Sequence, residues 1–157
     1  LNDNGGEAPR ENYSSFPIWI YDVMPYAMGD SFYSQYYQPN KPLPLLTCPA
    51  SKLKLTDYFK SHHALNIKLL SYYSSSQNGY RVTRPLSSIT HPSQVLFSMD
   101  IYGGRRQAGP GNMPALGSAD WKEMFRHSQS ANVVYLDGHA GQLKEIPATS
   151  TAPWIDQ

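Results

Sequence analysis

Residues 126–144 read "RHSQSANVVYLDGHAGQLK", and the order of residue types in this stretch decides the fold class. Residues 131–136, "ANVVYL", are rich in β-branched and aromatic side chains, which fit a pleated, half-buried surface. Asp137-Gly138 follows at once. This pair favours a tight reversal, because glycine takes positive φ freely and aspartate tolerates it. "HAGQLKEI" then runs back as a second strand. With Asp137 and Gly138 as the two turn residues, Leu136 faces His139, Val134 faces Gly141 and Asn132 faces Leu143. One face then carries Leu136, Val134 and Leu143, ready to pack on a helix. Gly141 opposite Val134 implies close approach of another backbone or a bulky group.

Upstream of the hairpin, "SADWKEMFR" (118–126) predicts a short helix with Ser118 as its cap and Trp121, Met124 and Phe125 on one face. "SQVLFSMD" (93–100) is the clearest strand, with Val95, Phe97 and Met99 on one side and Gln94, Leu96, Ser98 and Asp100 on the other. "NIKLLSYYS" predicts another strand near residues 67–74, and Asn78-Gly79 predicts a turn. "SSFPIWIYDVMPYAMGD" (14–30) reads as a short amphipathic helix capped by Ser15, with Pro17 in its first turn and Pro25 ending it, or as an aromatic-rich loop. Residues 29–51 carry too many prolines for a central strand. The tail, "PATSTAPWIDQ", is a loop with Trp154 as an anchor. The fold class expected is α+β: a small antiparallel sheet with a helix packed on one face, rich in loops.

The bulk chemistry narrows the function. The chain has 157 residues, enough for one modest domain. Its 13 basic and 12 acidic side chains are scattered and give a net charge of +1, so no basic stripe offers itself to nucleic acid. The 12 tyrosines, 13 prolines and 11 glycines suit a loop-rich, β-leaning, exported domain. No apolar run reaches the roughly 18 residues of a membrane span. The glycines of "IYGGRRQAGPGNMPALGS" match neither a dinucleotide fingerprint nor a phosphate loop. With one cysteine, Cys48, no intrachain disulfide forms.

Several residues are candidates for chemistry. His127, Asp137 and His139 invite a metal or acid–base reading. However, a nine-residue extended spacing of roughly 30 Å puts His127 and Asp137 at opposite ends of a hairpin. The plainer expectation gives Asp137 the turn and His127 a local hydrogen bond where the strand begins. Asp100, Asp120 and Asp137 are candidate calcium oxygens, although no dense ladder of Asp and Asn ligands exists. Asp100 equally suits an ion pair with Arg126 or Arg105. His62 and His63 are adjacent, a poor spacing for one ion, and read as a solvated pair. Cys48 reads as a small buried hydrophobe with no base beside it. Tyr33, Tyr36, Tyr37, Tyr72 and Tyr73 suit a carbohydrate-binding face, or cover for a thin core and a subunit contact. No nucleophile with a base is visible, so no catalytic residue and no cofactor is expected.

His127, nine residues and then Asp137-Gly138 resemble the signature of the bacterial prepilin-type processing-associated H-X9-DG family of pseudopilin-like proteins. "WIYDVMPY" (19–26) is similar to that family's W-x-P-Y segment. "LLTCPAS" (45–51), with Cys48-Pro49, is similar to its Cys-Pro segment, and "RPLSSITHPSQVLFSMD" (84–100) to the segment ending in Phe-x-Asp. The match runs from about residue 17 to residue 144, with its motifs in the family's order. The resemblance implies a pilin-like fold. It also implies a leader cut by a prepilin peptidase, and an apolar N-terminal helix that holds the precursor in the inner membrane and later packs in a filament. Residues 1–14 would be a flexible lead-in after that helix, and residues 15–157 one globular domain outside the membrane in the cell envelope. Its partners would be other pseudopilin subunits of a type II secretion or type IV pilus-like filament. His127, Asp137, Gly138, Cys48 and Pro49 would be structural motif residues of a non-enzymatic subunit. An exported carbohydrate-binding or other ligand-binding module is the competing expectation.

Overall fold

The computed structural model describes residues 10–11, 46–55, 61–66, 68–69, 71–74, 79–81, 86–103, 107–109, 113–146 and 154. In chain order the elements are β1 (Arg10–Glu11), β2 (His63–Asn66), β3 (Ser71–Ser74), β4 (Gly79–Arg81), β5 (Leu96–Asp100), β6 (Gln107–Ala108), helix α1 (Ala119–Met124), β7 (Ala131–Tyr135) and β8 (Ala140–Leu143). One sheet has the order β6-β2-β5-β7-β8, and a second has the order β1-β3-β4. Within the larger sheet β2, β5, β7 and β8 are antiparallel, and β6 adds a short parallel edge to β2. The α+β expectation with an antiparallel sheet therefore holds. The helix expected after Ser15 and the tyrosines at 33, 36 and 37 lie outside the described residues.

The hairpin forms where expected, but its turn differs. Tyr135 N–H donates to His139 O at 2.9 Å, and Gly138 N–H donates to Tyr135 O at 2.9 Å. The loop is thus three residues, Leu136-Asp137-Gly138, with Gly138 in the left-handed region at φ +93°. The Leu136 N–H points the other way, to Val95 O at 2.9 Å, and extends the contact with the β5 side. The ladder pairs Val133 with Gly141, Val134 with Ala140 and Ala131 with Leu143. The expected pairing is off by one, and the buried face belongs to Ala131 and Val133, while Asn132 and Val134 face out. Strand side chains alternate with a period of two, so one residue of register exchanges the faces. The close approach foreseen at Gly141 is real: a Cβ there would lie 3.2 Å from the Tyr135 ring.

Strand β5 departs from simple alternation. The register with β7 shifts between Leu96 and Ser98, a bulge that re-aims the side chains after it. As a result Leu96 and Met99, expected on opposite sides, enter the same core. That core also holds Ala64, Ile101, Val133 and Trp154, and it is covered by Met124 at the end of α1 and Phe125 just past it. A smaller cluster of Leu69, Ile89 and Val95 takes Phe97 and Leu136. Helix α1 starts as expected: Ser118 Oγ accepts the Trp121 N–H at 3.1 Å, satisfying one of the first-turn donors. Trp154, 1% exposed, anchors the tail as expected. Buried Asn66 holds it, its Nδ2 donating to Trp154 O at 2.9 Å and to Leu96 O at 2.8 Å. The strand expected at 67–74 is really two features. A turn at Lys68-Leu69 follows β2, and β3 begins at Ser71.

Candidate functional site: a buried carboxylate at the strand end

Asp100 is the last residue of β5 and is fully buried. An isolated carboxylate there would be expensive, so its partners decide what the site is. Antiparallel pairing sets His63 of β2 directly opposite, and His63 Nδ1 lies 3.2 Å from Oδ1. Arg126, just past α1, donates from Nη2 to Oδ1 at 3.1 Å. The backbone N–H of Asn132 in β7 donates to Oδ2 at 2.8 Å. The Arg126 side chain is 5% exposed and also donates to the carbonyls of Ile101, Glu123 and His62. One buried ion pair therefore ties β2, β5, β7 and the end of α1 together. Burial by itself would raise the Asp100 pKa. The hydrogen bonds from His63 and Asn132, with the Arg126 and His63 charges, outweigh it and hold the carboxyl below its ordinary range.

His127 sits beside this pair, with Nε2 at 3.5 Å from Asp100 Oδ2 and 3.4 Å from Cys48 Sγ. Its backbone makes the expected local bonds: His127 N–H to Ser130 O at 3.2 Å and Ser130 N–H to His127 O at 3.0 Å. The Ser130 hydroxyl also donates to His127 O. The two residues between them, Ser128 and Gln129, both have positive φ, +52° and +62°. This mirror-image turn strains two residues that have a Cβ.

Cys48 is buried, as expected, but a base does stand beside it. The histidine is 79 positions away in sequence. Pro49 follows Cys48 in the turn closed by Ser51 N–H to Cys48 O at 3.1 Å, where proline's fixed φ suits the second position. The Cys48 N–H donates to His62 Nδ1 at 2.9 Å. The solvated pair expected of His62 and His63 is thus corrected: His62 is 1% exposed, whereas the His63 side chain is 40% exposed. Successive strand residues point to opposite sides, and here one side is core. With Nδ1 accepting the Cys48 N–H, the neutral ring carries its proton on Nε2, which is buried without a hydrogen-bond partner. Burial, then the Arg126 charge, lowers its pKa.

Cys48, His127 and Asp100 have the residue types of a nucleophile–base–orienter triad, but their geometry differs from one. A triad sets the nucleophile on one imidazole nitrogen and the carboxylate on the other. Here Cys48 and Asp100 approach the same atom, Nε2, and Asp100 is committed to Arg126. The arrangement locks the end of α1 against the 46–50 segment. Among the described residues no three His, Cys, Asp or Glu side chains form a set able to hold a metal ion, so Asp100, Asp120 and Asp137 are not gathered into a calcium site. No family model, curated protein or solved structure matches the chain.

Asp137 stays at the hairpin tip, away from the pair. Its Oδ1 accepts the His139 N–H at 3.1 Å and contacts His139 Nδ1 at 2.6 Å. The His139 N–H bond, first, and the nearby imidazole lower the Asp137 pKa. The His139 ring stacks on Tyr135 with centroids 4.2 Å apart. Asp137 and Gly138 thus lie in the turn after β7, and His127 opens the turn before it. Arg126 was among the expected partners of Asp100. His63 was not, since nothing local in "SHHAL" marks which histidine meets a carboxylate about 37 residues later, and only strand pairing brings them together.

Proposed function

We propose that this chain is the globular domain of a pseudopilin-like, non-enzymatic subunit of a type II secretion or type IV pilus-like filament. The observation that carries the reading is that His127 begins the turn before β7 and Asp137-Gly138 lie in the turn after it. His127 packs beside the Asp100–Arg126 pair where the strand begins, and Asp137-Gly138 closes the turn into β8. A spacing of nine residues between them suits one short strand and its flanking turns. A small antiparallel sheet covered by a helix is compatible with a pilin-like domain. In this reading an N-terminal apolar helix supplies most of the assembly energy, and the domain faces the periplasmic or extracellular side. Other pseudopilin subunits and the inner membrane are its partners.

Mass spectrometry of the native N-terminus in a membrane fraction tests this. A methylated first residue followed by about twenty apolar residues is expected. Conventional signal-peptidase cleavage would overturn the filament reading and leave a free exported domain. Among the described residues no helix is long and apolar enough to cross a membrane, so the test rests on the native terminus.

A further inference from the structure

A groove of about 900 Å³ runs beside α1, and Arg126, the partner of Asp100, forms part of its wall. Buried Phe125 and half-buried Trp121 supply its apolar base, their rings stacked with centroids 4.3 Å apart. Leu116 stands at its side and is 81% exposed, a large apolar side chain with nothing over it. Three exposed lysines, Lys52, Lys122 and Lys144, line it from separate segments. Among the described residues none of the three has an ion-pair partner. The one carboxylate in the lining, Glu123, is already engaged by the Ser51 hydroxyl and the Lys52 N–H. An uncovered leucine beside an aromatic pair, ringed by unpaired cations, calls for an occupant that is apolar at its centre and anionic at its edges.

We propose that this groove is a docking site for a segment of a partner protein that carries carboxylates around an aliphatic or aromatic side chain. The apolar side chain would lie against Leu116 and Trp121, and the carboxylates would meet Lys52, Lys122 and Lys144. Leu116 decides between polymers. A glycan stacks on flat rings and needs neutral or acidic hydrogen-bonding neighbours, and it gains little from an aliphatic side chain. Nucleic acid calls for a longer basic stripe than three lysines. This assignment stands apart from the filament reading.

A random-peptide display library panned on the full chain tests it. Enriched peptides are expected to combine several Asp or Glu with Leu, Ile, Phe or Trp. Their binding should weaken about tenfold or more in Lys52→Glu/Lys122→Glu/Lys144→Glu, fall with added salt, and weaken also in Leu116→Ser, which leaves the charges in place. Circular dichroism of both variants should match the parent, since every changed side chain is exposed. Enriched peptides without an acidic excess, or binding that both variants retain, would overturn the proposal. So would a library that yields no acidic peptide while phosphatidylglycerol vesicles, a uronate oligosaccharide or a second copy of the chain binds and loses binding on charge reversal.

Discussion

Replacing Asp100 with alanine is the most direct probe of the pair that joins four elements. The side chain is fully buried, and its removal leaves the Asn132 N–H without its acceptor and the buried Arg126 charge without its carboxylate. Breaking a buried ion pair from one side costs about 3–5 kcal/mol, because the other charge stays buried and unpaired. For a domain of this size that corresponds to a fall in Tm of roughly 6–20 °C. Asp100→Asn keeps an oxygen for the Asn132 N–H and loses only the charge, so about 2 kcal/mol is expected. The pairing itself is isolated by Asp100→Leu, Arg126→Met and the double variant. The double variant leaves no buried charge, so its loss should be smaller than the sum of the single losses by more than about 1 kcal/mol. Thermal and urea unfolding at neutral pH supply the numbers. Asp100→Ala melting within about 2 °C of the parent, or strict additivity in the cycle, would refute a buried, coupled pair.

Three further outcomes follow from the same geometry. Gly138→Val should cost about 1–2 kcal/mol, entirely from backbone strain at φ +93°, because a Cβ there meets nothing within 4 Å; unchanged melting would contradict the left-handed turn. Ser128→Asn with Gln129→Gly should stabilise by roughly 1 kcal/mol, since Asn-Gly suits a turn with two positive φ values, and a lowered Tm would count against that turn. Stability should also fall with acid in two stages. His62 has a lowered folded pKa, so below about pH 6.5 the unfolded chain binds the extra proton first and stability is lost as pH falls toward the folded value. Asp100 is likewise depressed, so its contribution is present above about pH 3.9 and is lost as pH falls through its folded pKa. In His62→Gln the first stage should flatten, which Tm measured at about pH 7.5 and pH 5 would reveal.

Local rules made the hairpin, the Ser118 cap and the Trp154 anchor readable in the sequence, because each depends on near neighbours. The hairpin register was not readable. It turns on the Leu136 N–H choosing Val95 O over His139, a choice made by a strand some 40 residues away. Nothing in Leu-Phe-Ser-Met-Asp marks the bulge that brings Leu96 and Met99 together. The candidate site was half readable. Asp100 and Arg126 stood out as a pair of opposite charges, and His127 through its spacing from Asp137-Gly138. Cys48 and His63 join them only through tertiary contact, and His62 is buried because its neighbour took the solvent side. A Ser-Gln pair carries no turn signal, so the strained reversal that follows His127 was invisible.

The bulged strand β5 has a consequence for how the molecule opens. Leu96 and Met99 belong to the larger core, whereas Phe97, with Val95 just before the strand, belongs to the smaller cluster. Two hydrophobic units that share one strand cannot melt separately without that strand choosing a side. Native-state deuterium uptake should therefore make the amides of residues 96–100 the last to exchange, at the free energy of global unfolding. The amides of α1, which covers only one unit, should exchange at lower free energy. The sheet then behaves as a single hinge pin on which these two clusters are hung.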